Sequence, residues 1–567
     1  MPALYLSSDR RERTRYAGSK HKVSGEVRVH DLNKVLMTSA LVLAGTSTAG
    51  AADLPAKVAT PIEFVRVCNA YGNGFFYIPG TDTCIRLSGR ARFEVGYQTS
   101  YSRTGNGTAT PGDLTGYRGL ARINVDARTQ TSYGTLRAFL RLEAASRTGI
   151  PTIRSGTTER IGNAFGATGQ DQAGRVQQFV NTDKAFIQFA GFTAGRATSF
   201  YDFYAHDFEI IASSMSSDVN STNLAAYTTK LGGSGFSATL SMEDPSFRRT
   251  PLFTAANAPG TTLAASPLFI GFSANGTPTG VGFVDIVQRN RMPDFVGVLR
   301  YDTTWGSAQL SAAVHELNYA NPIAGAFAGT NLGSAVTAAN SVAGPGLATA
   351  YGWAVQGGVK LNMPFIAPGD TLYLQASYGE GAGMYTGFSA YTGSYIGNTS
   401  SIQGSAFNQY FNDAVLNPFT NRLELSTTFT AVASFLHYWT PELRSAVFGS
   451  YGELNFASGA RARQGAYYGI TGAGPGTPGT RFFDVSQVLR DNYRFVVGGS
   501  LIWSPVRDLD IGFEGIYTQY GVTSGRVLDL SKFPAQNAAF VNNLANTIRT
   551  KTSEDTVQVR ARVQRDF

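Results

Sequence analysis

Arginine recurs at even spacing in four stretches of this 567-residue chain: Arg86, Arg90 and Arg92; Arg118 and Arg122; Arg137 and Arg141; Arg560 and Arg562. Side chains of an extended strand alternate between two faces, so an even spacing gathers the guanidinium groups of each stretch on one face. The other face is apolar: Leu87, Phe93, Val95 and Tyr97 in the first stretch, Ile123 and Val125 in the second, Leu136, Leu140 and Leu142 in the third, and Val557, Val559, Val563 and Phe567 in the last. Such arginines do not make or break bonds, because the guanidinium stays protonated and offers no lone pair to a substrate. They can impose an electric field on ions and dipoles nearby. An acidic counterpart, Asp202, Asp207 and Glu209, sits in the aromatic segment Ser199-Phe200-Tyr201-Asp202-Phe203-Tyr204-Ala205-His206-Asp207-Phe208-Glu209.

Other chemistry is thinly represented. Beyond residue 52 the histidines are His206, His315 and His437, none beside a nucleophile in a recognisable catalytic pattern, so an enzyme is not expected. The two cysteines, Cys68 and Cys84, have no neighbouring histidine, which argues against a metal site, and no cofactor is expected. An even pair in an exported chain is expected to form a disulfide, closing the Gly- and aromatic-rich segment from Asn69 to Thr83. The formal charge of +8 lies partly in the first 51 residues, and the mild excess beyond them makes no case for nucleic acid.

The elements that must carry the arginines follow from the same pattern. Mean hydropathy is −0.10, and no segment after residue 52 approaches the ~20 apolar residues of a spanning helix. A transmembrane β-barrel remains open, because its strands alternate and average to near neutrality; 64 Gly, 27 Tyr and 37 Phe suit its turns and interfacial girdles. Alternation is read from Ile85 onward, with further strands at about 117–131, 136–143, 177–189, 191–198, 223–232, 235–243, 292–302, 305–317, 350–361, 369–379, 426–438, 443–455, 493–503, 508–519 and 555–567. Short turns such as Gly232-Gly233-Ser234-Gly235 and Thr440-Pro441-Glu442 alternate with long connections near 148–176, 244–291, 318–349, 380–425, 456–492 and 520–554. The fold class is therefore all-β: an antiparallel transmembrane barrel of about sixteen strands, with short turns on one rim and long loops on the other.

At the amino terminus, Lys34, the apolar run from Val35 to Ala44 and Ala49-Gly50-Ala51 read as a secretory signal peptide over 32–51, cut before Ala52. Residues 1–31 have no export logic and are read as an upstream extension ahead of the true start, with translation expected from Leu32, which keeps Lys34 in the basic region, in preference to Met37. Residues 52–84 then form a disulfide-closed segment and 85–567 the barrel.

The segments Glu63-Phe64-Val65-Arg66-Val67-Cys68-Asn69-Ala70-Tyr71-Gly72 and Gly74-Phe75-Phe76-Tyr77-Ile78-Pro79-Gly80-Thr81-Asp82-Thr83-Cys84 resemble the leading segment of the alphaproteobacterial porin family. Ala185-Phe186-Ile187-Gln188-Phe189-Ala190-Gly191-Phe192 with Gly195-Arg196, Asp370-Thr371-Leu372-Tyr373-Leu374-Gln375 and Leu509-Asp510-Ile511-Gly512 are similar to its later strands. The resemblance covers most of 52–567, and the long loops depart from it. It implies a sixteen-stranded barrel in the bacterial outer membrane, in contact with lipid and lipopolysaccharide, usually a homotrimer, passing small hydrophilic solutes. A substrate-specific outer-membrane channel is the alternative; an energy-coupled transporter would need a plug for which 52–84 is too short.

In a closed barrel Arg560 and Arg562 should adjoin Arg86, Arg90 and Arg92, and then Arg118, Arg122, Arg128, Arg137 and Arg141, as one basic wall. Some of these are expected to pair with Glu94, Asp126 and Glu143 or to sit near a rim. By order, Ser199 to Thr222 is the third long loop, which in porins of this type folds inward and narrows the lumen. Its aromatics are expected to pack on the wall while Asp202, Asp207 and Glu209 face the arginines. Phe567 is expected to belong to the signal read by the barrel-assembly machinery, as the family implies, or to serve as a plain girdle aromatic.

Overall fold

The structure, a computed structural model, describes residues 66–99, 114–149, 177–219, 221–250, 252–253, 267–272, 278–283, 288, 290–319, 348–388, 398–399, 409–417, 419–420, 422–468, 475–529 and 538–567. These residues belong to one compact unit, Val65–Phe567. The upstream extension expected at 1–31 and the signal peptide expected at 32–51 lie outside the described residues.

Sixteen strands build the wall. They are β1 Cys84–Gln98, β2 Thr115–Thr131, β3 Gly134–Gly149, β4 Gln177–Phe189, β5 Phe192–Ala197, β6 Thr222–Lys230, β7 Phe236–Glu243 and β8 Asp294–Thr303. The second half comprises β9 Gly306–Tyr319, β10 Ala348–Asn362, β11 Thr371–Glu380, β12 Thr427–Tyr438, β13 Leu443–Asn455, β14 Asn492–Val506, β15 Leu509–Val522 and β16 Ser553–Asp566. Each pairs antiparallel with the next, and β16 returns to β1 through Arg562↔Glu94 and Gln564↔Arg92, so the sheet has no free edge. Among the described residues no helix is long and apolar enough to cross a membrane.

The alternation decides which face is which. Phe93 is 50% exposed on the outside and its neighbour Glu94 is 0% exposed on the inside. Leu299, Leu310, Leu374, Val447 and Phe513 repeat the outward pattern around the wall. The reverse assignment would bring arginines to the lipid side, where each costs roughly 2–4 kcal/mol at midplane.

Hairpins on the short-turn rim are tight. Phe189 pairs with Phe192, leaving Ala190 and Gly191 as a two-residue loop with φ of 48° and 88°. Positive φ at both positions matches the twist of the flanking strands. A side chain at Gly191 would approach the Thr228 carbonyl to 2.7 Å, so glycine is required there for space as well as for conformation.

Ahead of β1, Cys68 and Cys84 form a disulfide with a Cα–Cα distance of 6.0 Å. The enclosed segment adds a two-residue strand, Phe76–Tyr77, to the start of β1. Phe75 is buried with the two cysteines, and the Arg128 guanidinium lies 4.9 Å from its ring.

The apolar core sits inside the lumen, where connections fold in, and not in the wall itself. Met215, Phe253, Phe388, Tyr410, Leu454 and Phe456 form one such cluster, and Tyr201, Val296, Ala354 and Tyr385 another. Among the described residues the long connections also hold three short α-helices, α1 Ala460–Tyr468, α2 Arg481–Val485 and α3 Ala538–Asn542, where loops were expected. Ala460-Arg461-Ala462-Arg463-Gln464 is a run of strong helix formers, which a search for strand alternation passes over. Arg461 in α1 donates to the carbonyls of Val488 (2.9 Å) and Ser486 (3.2 Å). Burial, together with nearby Arg490, lowers the Arg461 pKa to about 9.

Candidate functional site

The third long connection, between β5 and β6, folds into the barrel. It crosses to the far wall, and polar side chains on the inner faces of β9 to β15 receive it. Gln356 donates to the Tyr201 carbonyl at 3.1 Å, and Ser311 to the same oxygen at 2.9 Å. The Tyr204 amide donates to Gln375 and the Met215 amide to Ser450, each at 2.9 Å. Glu514 accepts from the amides of Ile210 (2.7 Å) and Ile211 (2.6 Å), and Arg494 donates to the Ser213 carbonyl at 3.1 Å. Where the loop packs against the wall its backbone is shut off from water, so the wall supplies the partners instead. The expected packing of aromatics on the wall is present: Phe203, Tyr204 and Phe208 gather around Tyr373.

With the loop against β9 to β15, a cavity of about 660 Å³ is left beside β1 to β4 and β16. Arg90, Arg92, Arg122, Arg141 and Arg562 line it, and the loop segment from Ala205 to Ile210 forms its other side. The remaining arginines of the expected wall also lie on inner faces but outside this cavity. Arg118 (1% exposed) and Arg560 are buried around Glu94, at 2.9 and 3.8 Å. Arg137, near the start of β3, forms a two-pronged pair with Asp126, Nε to Oδ1 and Nη2 to Oδ2, both 2.9 Å. Arg86 lies opposite Asp126 in the register at the start of β1. It does not adjoin Arg560 and Arg562, because the pairing of β16 reaches only to Arg90↔Asp566.

The wall is also less uniformly basic than the arginine pattern implies. Arg90 pairs with Asp566, Arg122 with Glu143, and Arg141 lies 3.5 Å from Asp183. Arg562 stands out from these: its Nε is buried with no hydrogen-bond partner among the described residues. Asp183, Arg444 and Asp510 also line the cavity and were not singled out beforehand. Their strands carry the right alternation, but isolated charges without an arginine-like repeat gave no reason to select them.

The three acids expected to face the arginines divide, and a fourth acid of the loop, Asp218, also borders the cavity. Asp207 is exposed to the cavity and accepts from the Tyr373 hydroxyl at 2.8 Å. Asp202 does not face the arginine wall. Its side chain is 2% exposed and is held by Arg248 at 2.9 Å, with the Ser217 hydroxyl and the Val219 amide as further donors. Glu209 touches the cavity but is mostly consumed by its own loop, accepting from the amides of Ser213 (2.8 Å) and Ser214 (3.0 Å) and from the Tyr204 hydroxyl (2.9 Å). Burial, with the carboxylate of Glu209 beside it, raises the Tyr204 pKa well above the usual phenol value and keeps the hydroxyl a donor. Spacing alone could not separate these acids, because what distinguishes them is the direction of the folded loop and an arginine from another connection.

The terminal residue continues the pairing of β16 with β1. Phe567 donates its amide to the Gly89 carbonyl (3.1 Å) and accepts from the Gly89 amide (2.8 Å). Its ring lies so close over Gly89 that a Cβ there would collide with it, yet 70% of the residue remains exposed.

Residues 53–549 match the family model described as Porin subfamily. Porin Omp2b of Brucella canis is 31% identical over 282 residues, covering 49% of this chain and 64% of that protein. Porin Omp2b of Brucella suis is 32% identical over 286 residues, again covering 49% and 64% of the two chains. The match thus takes in less than two thirds of these relatives' length. Among solved structures, the outer membrane channel DcaP of Acinetobacter baumannii superposes over 87% of this chain and 99% of that one, with a TM-score of 0.49 and 13% identity. On the family match across most of its length, and with a closed sixteen-stranded antiparallel wall, the chain belongs to the porin subfamily and is a protein of the bacterial outer membrane.

Proposed function

We propose that this chain forms a water-filled channel through which small hydrophilic solutes and ions cross the outer membrane passively. The observation that carries this reading is the cavity of about 660 Å³ between the arginine-bearing strands and the inward-folded loop. It is lined by charge of both signs, so ions and dipolar solutes meet a transverse field in a confined space of low dielectric. Arg90, Arg92, Arg122, Arg141 and Arg562 form the basic side, and of the loop acids that border the cavity, Asp207, Glu209 and Asp218, Asp207 is the exposed one. Family membership supports a channel in preference to an enzyme.

The working form is proposed to be a homotrimer surrounded by lipid and lipopolysaccharide, placed there by the barrel-assembly machinery. A row of small residues on the outer face supports close barrel contact: Ala91, Ala121 and Ala144 are register partners on β1, β2 and β3, with Gly119 beside them. The domain layout proposed for the precursor is a signal peptide at 32–51 and mature chain from Ala52.

Planar bilayers containing the purified protein should show stepwise, voltage-independent conductance at low potential, with permeation limited by solute size. Absence of steady conductance sinks the channel. Saturable block of conductance by one solute, and not by others of its size, would make it a substrate-specific channel instead.

A further inference from the structure

Arg248 falls outside every arginine row in the sequence. It follows β7, in the fourth long connection, next to a 3₁₀ turn at Pro245–Phe247 whose Ser246 amide is capped by Asp244. Its side chain is nonetheless 1% exposed. A buried guanidinium is costly unless its donors are matched, so the partners it finds there show what the position is for.

Those partners come from both stems of the inward-folded loop and from a third connection. On the outgoing stem Nη2 donates to the Ser199 hydroxyl at 2.8 Å and to Asp202 Oδ1 at 2.9 Å. On the returning stem Nη1 donates to the Ser217 hydroxyl, while Asp202 receives the Val219 amide. The guanidinium carbon lies 4.2 Å from the Tyr385 ring centroid, in the connection after β11, and 5.5 Å from that of Tyr201. Tyr385 is in turn fixed to the wall, donating to Asp294 Oδ2 of β8 at 2.7 Å; the other oxygen of Asp294 lies 2.7 Å from His315 Nδ1 of β9. Burial works against the charge of Arg248, but Asp202, Tyr385 and Glu243 raise its pKa above the usual arginine value, so it is always cationic.

We propose that Arg248 is a positioning residue for permeation: it clamps the two stems of the inward-folded loop together and onto the wall, and so holds the lumen at its narrowed width. A planar fork suits the task, because only a guanidinium reaches Ser199, Asp202 and Ser217 at once while stacking on an aromatic ring. Farther along, the loop is held mainly by single hydrogen bonds from wall side chains. The stems also meet directly, the Ser199 amide donating to the Val219 carbonyl at 3.0 Å, and Gln309, Ser311 and Gln356 tie the outgoing stem to the wall. Arg248 adds the ionic tie that spans both stems, which carry the tip that bears Asp207.

This proposal rests on the reading that the loop narrows a conducting lumen, and the experiment separates the two. The full-length protein and its R248Q, R248K, D202N and D207N variants would be compared by single-channel recording in planar bilayers. Barrel assembly is checked by the shift in gel mobility on heating. R248Q and D202N should assemble and conduct, but with open-state current noise several-fold above wild type and frequent partial closures. The R248Q/D202N double variant should be no noisier than either single one, as for two halves of one interaction. R248K keeps the buried charge but has a single ammonium that cannot bridge both stems, so it should also be noisy. D207N should stay quiet while its reversal potential moves. A quiet R248Q, or a quiet R248K should R248Q not assemble, overturns the clamp while a shifted D207N leaves the narrowing loop standing. Wild-type behaviour in both R248Q and D207N overturns the two together.

Discussion

Arg122 and Glu143 face each other across β2 and β3, with Nε 2.5 Å from Oε1, and both line the cavity. Their charges largely cancel for a distant ion, so replacing Glu143 by Gln should release one positive charge into the lumen. A unit charge at ~8 Å in water is worth about 0.5 kcal/mol, or roughly a twofold change in relative permeability. Reversal potentials in a salt gradient should therefore move toward anion preference by about that factor, and Asp207→Asn should move them the same way. An unchanged potential in both variants would remove these residues from the conducting path. Asp202→Asn, by contrast, should act on the loop and not on selectivity, because Arg248 has taken that carboxylate out of the lumen.

At the scale of elements, the ends of the barrel wall are secured by different means. The Cys68–Cys84 bridge closes the segment that carries Phe75 and the short strand Phe76–Tyr77. Closing a loop of about 15 residues is worth about 3 kcal/mol in the chain-entropy model. That stabilisation belongs to the segment alone, since β1 is otherwise held by β2 from Cys84 to Tyr97 and by β16 from Arg90 to Gln98. Replacing both cysteines by Ser should loosen the backbone at the already exposed Arg66, whose carbonyl holds the Tyr77 amide at 2.8 Å, and speed tryptic cleavage there while the temperature of barrel unfolding on gels stays the same. A large fall in that temperature would show that the segment supports the wall. At the other end, Gly89 leaves the space that the Phe567 ring occupies. Gly89→Val should displace the ring and, like removal of Phe567, reduce the yield of assembled barrel; full yield in both would leave Phe567 as a plain girdle aromatic.

For the whole molecule, the outer face divides. Large apolar residues cover much of it, but Ala91, Gly119, Ala121 and Ala144 form a shallow area over β1 to β3. If barrels meet there in a homotrimer, Ala121→Trp should convert the native assembly to single barrels in gentle detergent, each still conducting. Trimers that survive the substitution would move the contact to another part of the wall.

Much of this molecule was written in the chain as period-two alternation. Strand number, the hand of inside and outside, and the cysteine pair all follow from local rules, because one face of every strand must meet lipid whatever the rest of the chain does. The lumen is another matter. Arg118 and Arg122 have the same spacing from their strand's apolar residues, yet one is buried against Glu94 and the other borders the cavity. Asp202 and Asp207 share one segment, yet only Asp207 is open to water. Those outcomes were decided by how the third connection crosses the barrel and by Arg248 arriving from the fourth, contacts between residues distant in sequence that no local periodicity encodes.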